Sequence, residues 1–357
     1  MKTISPTFFG DALPSPRRVP KAAAAPWEGP RPTSKAKYAE LCLCCTAILT
    51  GCPRPAATPP AGASMVTSVA TESWETPYGT GRKIKTKRYQ VFTTVSEKRL
   101  SRYLPGFLEA AHDNYLRLTG LEGQADREPL TVYMLADRQQ WDALTRHRFH
   151  RSLPIEAGGY CVEGVCVFWD IGILPSLSVA AHEGFHQFFH VRLKDRLPMW
   201  LEEGLCVTAE GYVAEDQSVT FTPERNVSRF NDLRATMVGQ RWRALKNLLP
   251  LHSMEAAQGK LPHEVVGYYG QLWALVRFLR NTEPYRSGMK RMLADAAAGR
   301  FHQALQLPPD ALDQLRRRPL IYNRTVSEPL FRHYISSDLE GFEREYRAYA
   351  EKLTALR

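Results

Sequence analysis

His182, Glu183 and His186 lie in the run Ala181-His182-Glu183-Gly184-Phe185-His186, which reads His-Glu-x-x-His. Residues four apart stack on one helix face, so both imidazoles can reach a single Zn²⁺ while Glu183, one position along, faces the water that the metal holds. A carboxylate there takes the proton released when that water attacks a carbonyl. The flanking residues suit a buried helix. Pro175-Ser176 predicts its start with Ser176 as N-cap, and Leu177 to about Leu193 is free of proline and apolar on most faces (Val179, Ala180, Phe185, Phe188, Phe189). An ordinary helix with two packed histidines would leave the Glu183 carboxylate in apolar company, a desolvation cost that a metal offsets.

A catalytic zinc takes three protein ligands, and the third should come from a separate element. Glu203 follows His186 by seventeen residues, in Pro198-Met199-Trp200-Leu201-Glu202-Glu203-Gly204-Leu205. Pro198 suits the first turn of a helix, on which Trp200, Glu203 and Val207 share one face. Glu203 is therefore the expected ligand. Glu202, about 100° round the helix, is expected to be solvated or to support a ligand from behind.

His-Glu-x-x-His with a downstream Glu resembles the gluzincin zinc metallopeptidases. The run Trp200-Leu201-Glu202-Glu203-Gly204-Leu205 resembles the Trp-Leu-x-Glu-Gly helix of bacterial peptidase MA-like proteins and, more distantly, of the aminopeptidase N family. The likeness extends to Glu210, where those families often carry another acid. Further on, Tyr268-Tyr269-Gly270-Gln271-Leu272-Trp273-Ala274 resembles the helix whose tyrosine stabilises the oxyanion in those families, and Tyr269 is the position that corresponds. The plainer reading makes Tyr268 and Tyr269 aromatic core at the head of an amphipathic helix with Leu272, Leu275, Val276 and Leu279. The Gly-x-Met-Glu-Asn strand that holds a free amino terminus in aminopeptidases has no counterpart between Gly158 and Asp170, which favours an endopeptidase-like cleft. That segment reads as a hairpin turning at Glu163-Gly164, one arm of which would be an edge strand for an extended peptide.

Lys35 and Lys37 precede a short apolar stretch, Leu41 to Leu49, ending in Leu49-Thr50-Gly51-Cys52, which resembles a bacterial lipobox with Cys52 lipidated. Such a run is too short to span a bilayer and suits a signal-peptide core. Residues 1–52 are thus expected to be a signal segment, with a true start downstream of Met1 or an uncleaved tail, and 53–75 a flexible linker. The implied location is the cell envelope, with a membrane anchor at Cys52. Cys42, Cys44 and Cys45 lack the histidines or second cysteine pair of a metal cluster. Cys161 and Cys166 would oppose each other across the hairpin, as a disulfide in an oxidising compartment or as two thiols. Cys206, three residues after Glu203, reads as a small packed side chain rather than a fourth ligand.

The chain has 357 residues, 44% hydrophobic, with a net charge of +10. Its basic residues (Arg192, Lys194, Arg241, Arg243, Arg316 to Arg318) are dispersed rather than interleaved with aromatics, so no nucleic-acid partner is expected; an anionic membrane neighbourhood fits as well. Residues 76–357 are expected to form one zincin-like domain, with lobes of about 76–195 and 196–357. The class is α+β, a small mixed β-sheet with helices followed by a mainly helical C-terminal lobe. Lys83 to Thr94 alternates like a strand, Glu97 to Leu118 like a helix, and Leu130 to Leu135 like a second strand; Thr220 to about Lys260 reads as polar and irregular. His190 lies one turn past His186, beyond the metal's reach. The expected function is hydrolysis of a peptide or protein by a zinc metallopeptidase in which His182, His186 and Glu203 hold Zn²⁺, Glu183 is the general base and Tyr269 stabilises the oxyanion. The alternative is a binding or scaffold lipoprotein that keeps the fold without turnover.

Overall fold

The computed structural model describes residues 62–65, 69–96, 98–121, 128–149, 158–215, 217–257 and 262–355. The proposed lipobox at Cys52, the apolar stretch before it and the cysteines Cys42, Cys44 and Cys45 lie outside the described residues. In chain order the elements are β1 (Ala63–Ser64), β2 (Ala70–Thr76), β3 (Gly79–Lys85), β4 (Tyr89–Thr93), α1 (Lys98–Thr119), β5 (Leu130–Leu135), α2 (Arg138–Phe149), β6 (Gly159–Val162), β7 (Val165–Trp169) and α3 (Ile173–Arg192). There follow α4 (Met199–Ala209), β8 (Tyr212–Glu215), β9 (Ser218–Phe221), α5 (Val227–Val238), α6 (Leu245–Leu248), α7 (Ser253–Ala257), α8 (Pro262–Asn281), α9 (Tyr285–Ala298), α10 (Phe301–Ala304), α11 (Pro309–Arg316), α12 (Pro319–Tyr334) and α13 (Leu339–Ala355).

The class is α+β, with a six-stranded mixed sheet, a three-stranded sheet and a helical C-terminal region. The larger sheet has the order β2-β3-β4-β5-β7-β6: β4, β5 and β7 run parallel, and the β2-β3-β4 meander and β6 are antiparallel. Every residue of β5 is buried because both faces are covered. Val132 and Met134 join the core under α1 and α3, while Tyr133 and Leu135 pack with Trp141 and Leu144 of α2 on the other side. A strand covered on both faces reads as a continuous apolar run, which is why it was legible.

Lys83 to Thr94 is two strands rather than one. Glu109 of α1 gathers the intervening turn by accepting hydrogen bonds from the Thr86 hydroxyl (2.6 Å) and the Arg88 amide (2.7 Å), and it pairs with the Arg88 guanidinium. This tertiary contact splits an alternation that carries no break of its own. The expected linker also contains structure: β1 pairs with β9, Met65 is buried, and β2 belongs to the larger sheet, so the fold begins before residue 76.

The start of α3 differs as well. It begins at Ile173 behind Gly172, whose φ of 99° turns the chain into the helix, and Ser176 lies inside it, its buried hydroxyl accepting from the Ile171 amide at 3.1 Å. Pro175 occupies the first turn, where a missing N–H costs nothing. Residues 223–257, expected to be irregular, are largely helical. Asn226 caps α5 by accepting from the Arg229 amide, and Arg229 and Asp232 are buried together as an ion pair, so a polar composition concealed a packed helix. In the C-terminal region α4, α5, α9 and α13 pack around α8, and the Tyr346 hydroxyl of α13 donates to the Gln271 carbonyl at 2.6 Å. Among the described residues no helix is long and apolar enough to cross a membrane.

Candidate metal centre

The centre forms where α3 crosses α4 beneath the β6 edge of the larger sheet. Gln187, buried on α3, fixes that helix to the sheet by donating to the carbonyls of Thr131 (2.9 Å) and Gly164 (2.8 Å). The hairpin above it turns at Glu163 (φ 52°) and Gly164 (φ 72°), two consecutive left-handed residues as a tight two-residue turn requires. Cys161 and Cys166 are cross-strand partners, as their spacing predicts; both thiols are free, and Cys166 donates to the Glu183 carbonyl at 3.3 Å. His190 packs against the hairpin turn, away from the centre: a side chain at Gly164 would come within 2.6 Å of its Cδ2.

His182 and Glu203 are fully buried, and His186 is 10% exposed. Glu203 Oε2 lies 3.3 Å from His182 Nε2 and 3.8 Å from His186 Nε2. Two donors on one tetrahedral ion with bonds of about 2.0–2.1 Å stand about 3.4 Å apart, so these spacings suit a shared ion. The opposite ring nitrogens are both held by acids. His182 Nδ1 is 2.8 Å from Glu210 Oε1, and His186 Nδ1 is 2.8 Å from Glu202 Oε1. Carboxylates behind metal-binding imidazoles fix the tautomer and aim Nε2 at the ion. Glu202 thus supports His186 rather than facing solvent, and Glu210 supports His182.

Glu183 is buried, and neither carboxylate oxygen has a well-formed hydrogen bond among the described residues. Burial pushes its carboxyl up to about 6; His182, His186 and the Cys161 backbone amide pull against that rise, and Glu203 adds to it. The Glu183 and Glu203 carboxylates both border the two imidazoles, and a dication held there would stabilise them further. The donor set therefore fits a divalent metal. A fourth candidate donor is present: the ligating atoms of His182, His186 and Cys206 all lie within 4.8 Å of one another, a buried His-His-Cys cluster able to bind a metal.

Tyr269 is buried with its ring 6.3 Å from that of His182, edge to face, so the residue singled out from sequence does stand beside the centre. The adjacent Tyr268 is core: its hydroxyl donates to the Leu251 carbonyl at 3.3 Å.

The residue that sequence reasoning missed is Arg229. Its guanidinium holds both Glu210 oxygens (2.9 and 3.0 Å), reaches Asp232 at 3.1 Å and stacks 5.2 Å from the Tyr269 ring centre. Burial alone would raise the Glu210 carboxyl; Arg229 and His182 outweigh it and bring the group down to about 2. Arg229 is thus tied both to the carboxylate behind His182 and to the tyrosine beside it. The sequence signal was the acid–base pair Arg229/Asp232 at helical spacing after a capping Asn226, which reads equally well as an exposed helix face.

No protein-family model matches the chain, and neither a curated protein nor a solved structure matches it.

Proposed function

We propose that the protein is a zinc-dependent peptide-bond hydrolase of the gluzincin type with a zincin-like fold. The observation that carries this reading is the convergence of Glu203 Oε2 on His182 Nε2 and His186 Nε2, at 3.3 and 3.8 Å, with the buried Glu183 beside them. Zn²⁺ held there would supply Lewis acidity and ionise a water at neutral pH. Glu183 accepts the proton of the attacking water and returns it to the leaving amine, a role favoured by a carboxyl raised to about 6. Tyr269 donates to the carbonyl oxygen as it gains negative charge. Glu202 and Glu210 hold the two imidazoles in aim.

The substrate reading rests on β6. It lies at the sheet edge, and the Trp169 amide bonds inward to the Gly158 carbonyl. By the two-residue alternation of an antiparallel ladder, Gly159 and Cys161 then turn their N–H and C=O groups outward, where an extended peptide or protein segment adds as a further strand. Attachment to a membrane through lipidated Cys52 is part of the same proposal and rests on the sequence Leu49-Thr50-Gly51-Cys52 alone.

The test is the zinc content of the purified full chain beside a His186→Ala variant, by elemental mass spectrometry. About one zinc per chain, lost in the variant, is expected. A parent without zinc after reconstitution would overturn the hydrolase reading in favour of a binding or scaffold protein.

A further inference from the structure

We propose that Cys206 is a fourth protein donor to the metal, beside His182, His186 and Glu203. The inference rests on the metal-site reading above and deepens it. Cys206 follows Glu203 by three residues on α4 and so presents its sulfur from the same helix face as the carboxylate. It is fully buried, and its Sγ belongs to the trio whose donor atoms lie within 4.8 Å of one another.

A cysteine that only fills space would sit among apolar groups. Cys206 instead stands with its sulfur within 4.8 Å of ring nitrogens of His182 and His186. Nitrogen and sulfur donors on one tetrahedral ion, with bonds of about 2.0–2.1 and 2.3 Å, stand about 3.6 Å apart. Closing the trio from its outer limit of 4.8 Å therefore takes at most about 1.4 Å, shared by three side chains. The helix itself cannot retreat: a Cβ at Gly204 would lie 2.5 Å from Val276 Cγ2 and 3.1 Å from the Leu272 carbonyl oxygen, so α4 is pressed onto α8.

On binding, the S–H bond breaks, sulfur bonds to the metal and the proton passes to solvent. The donor set becomes two imidazoles, a carboxylate and a thiolate. Two properties follow that a His-His-Glu site would lack. The sulfur selects thiophilic ions such as Zn²⁺, Co²⁺ and Cd²⁺ over Mg²⁺, Ca²⁺ and Mn²⁺. It also makes the hydrolytic water a fifth ligand, an expansion that catalytic zinc sites can make.

Cobalt reads the ligands without recourse to activity. The chelator-stripped full chain is titrated with Co²⁺ while absorbance is followed, alongside Cys206→Ser and a Cys161→Ser/Cys166→Ser double variant, each checked for folding by circular dichroism. The expected result is one Co²⁺ per chain with tetrahedral visible bands and a sulfur-to-cobalt charge-transfer band in the near ultraviolet. That band is lost in Cys206→Ser and kept in the double variant. Tetrahedral bands without charge transfer in the parent would overturn the role of Cys206 and leave the His-His-Glu site standing, whether or not Cys206→Ser folds. A charge-transfer band that vanishes only in the double variant would likewise overturn it. No Co²⁺ binding at all would overturn both this inference and the metal-site reading.

Discussion

Glu183 gives the sharpest test because its buried carboxylate should leave a signature in stability as well as in turnover. In the metal-free protein its carboxyl stands at about 6 against a reference of 4.5, with burial the main cause. For an acid whose folded value is raised, the unfolded chain ionises first. Below about pH 4.5 both states hold the proton; between about 4.5 and 6 only the folded state does, so stability falls as pH rises, and above 6 the loss is complete. A difference of about 1.5 units at about 1.36 kcal/mol each amounts to roughly 2 kcal/mol. Glu183→Gln removes this pH dependence, whatever its amide costs at a single pH. The assay is urea unfolding of parent and variant from pH 4 to 8 in chelator. The parent should lose about 2 kcal/mol more than the variant across that range. Adding Zn²⁺ should abolish the difference, because the dication then stabilises the carboxylate. Identical slopes in chelator would refute the claim that burial raises the Glu183 carboxyl, and full hydrolytic activity in the variant would remove it as general base.

Removal of Arg229 strands the buried Glu210 carboxylate, so Arg229→Met should destabilise the protein by about 3–5 kcal/mol in urea unfolding. Because Glu210 aims His182, zinc affinity should also fall about 10–100-fold in competition with a chromogenic chelator; unchanged affinity would uncouple Arg229 from the centre. Glu203→Ala should strongly lower zinc per chain by elemental mass spectrometry, and unaltered zinc would move the ligand role elsewhere. Tyr269→Phe should lower kcat by about 10²–10³-fold at nearly constant KM once a peptide substrate is found, as loss of one oxyanion donor does. A KM effect alone would make Tyr269 a binding or packing residue.

Local signals carried much of the centre. His182, Glu183 and His186 were readable because helical spacing alone sets their relation, and Glu203 because Pro198 marks where its helix begins. Strand β5 and the Cys161/Cys166 hairpin were readable for the same reason: an apolar run and a turn dipeptide are self-contained. What escaped depended on partners distant in sequence. The break between β3 and β4 is imposed by Glu109, and the burial of Arg229 by Glu210 and Tyr269. A charge pair such as Arg229/Asp232 looks the same in sequence whether water or protein surrounds it. The partners of Glu202 and Glu210 needed the crossing of α3 and α4, since the helix period says only that Glu202 lies about 100° round from Glu203 and that Glu210, seven residues on, lies near the Glu203 face.

A pattern of glycines lets the helices behind that crossing seat closely. Glu183, Glu203 and Tyr269 are each followed by glycine, at Gly184, Gly204 and Gly270. The next residue along a helix faces about 100° away, toward whatever packs behind the chemistry. A Cβ at Gly184 would lie 2.7 Å from the Tyr115 hydroxyl, which donates to the Ala181 carbonyl at 2.8 Å. At Gly204 it would strike Val276 of α8, and at Gly270 the backbone of Asp232 and Leu233 in α5. Glycine inside a helix costs about 0.5–1 kcal/mol relative to alanine, so three of them weaken these helices locally. The compensation is geometric. Without side chains at these points α3 seats against α1, α4 against α8 and α8 against α5, and the same contacts bring the Glu203 carboxylate to the imidazoles and the Tyr269 ring to His182. The glycines therefore belong to the site as much as the residues before them, by setting how closely three helices can approach.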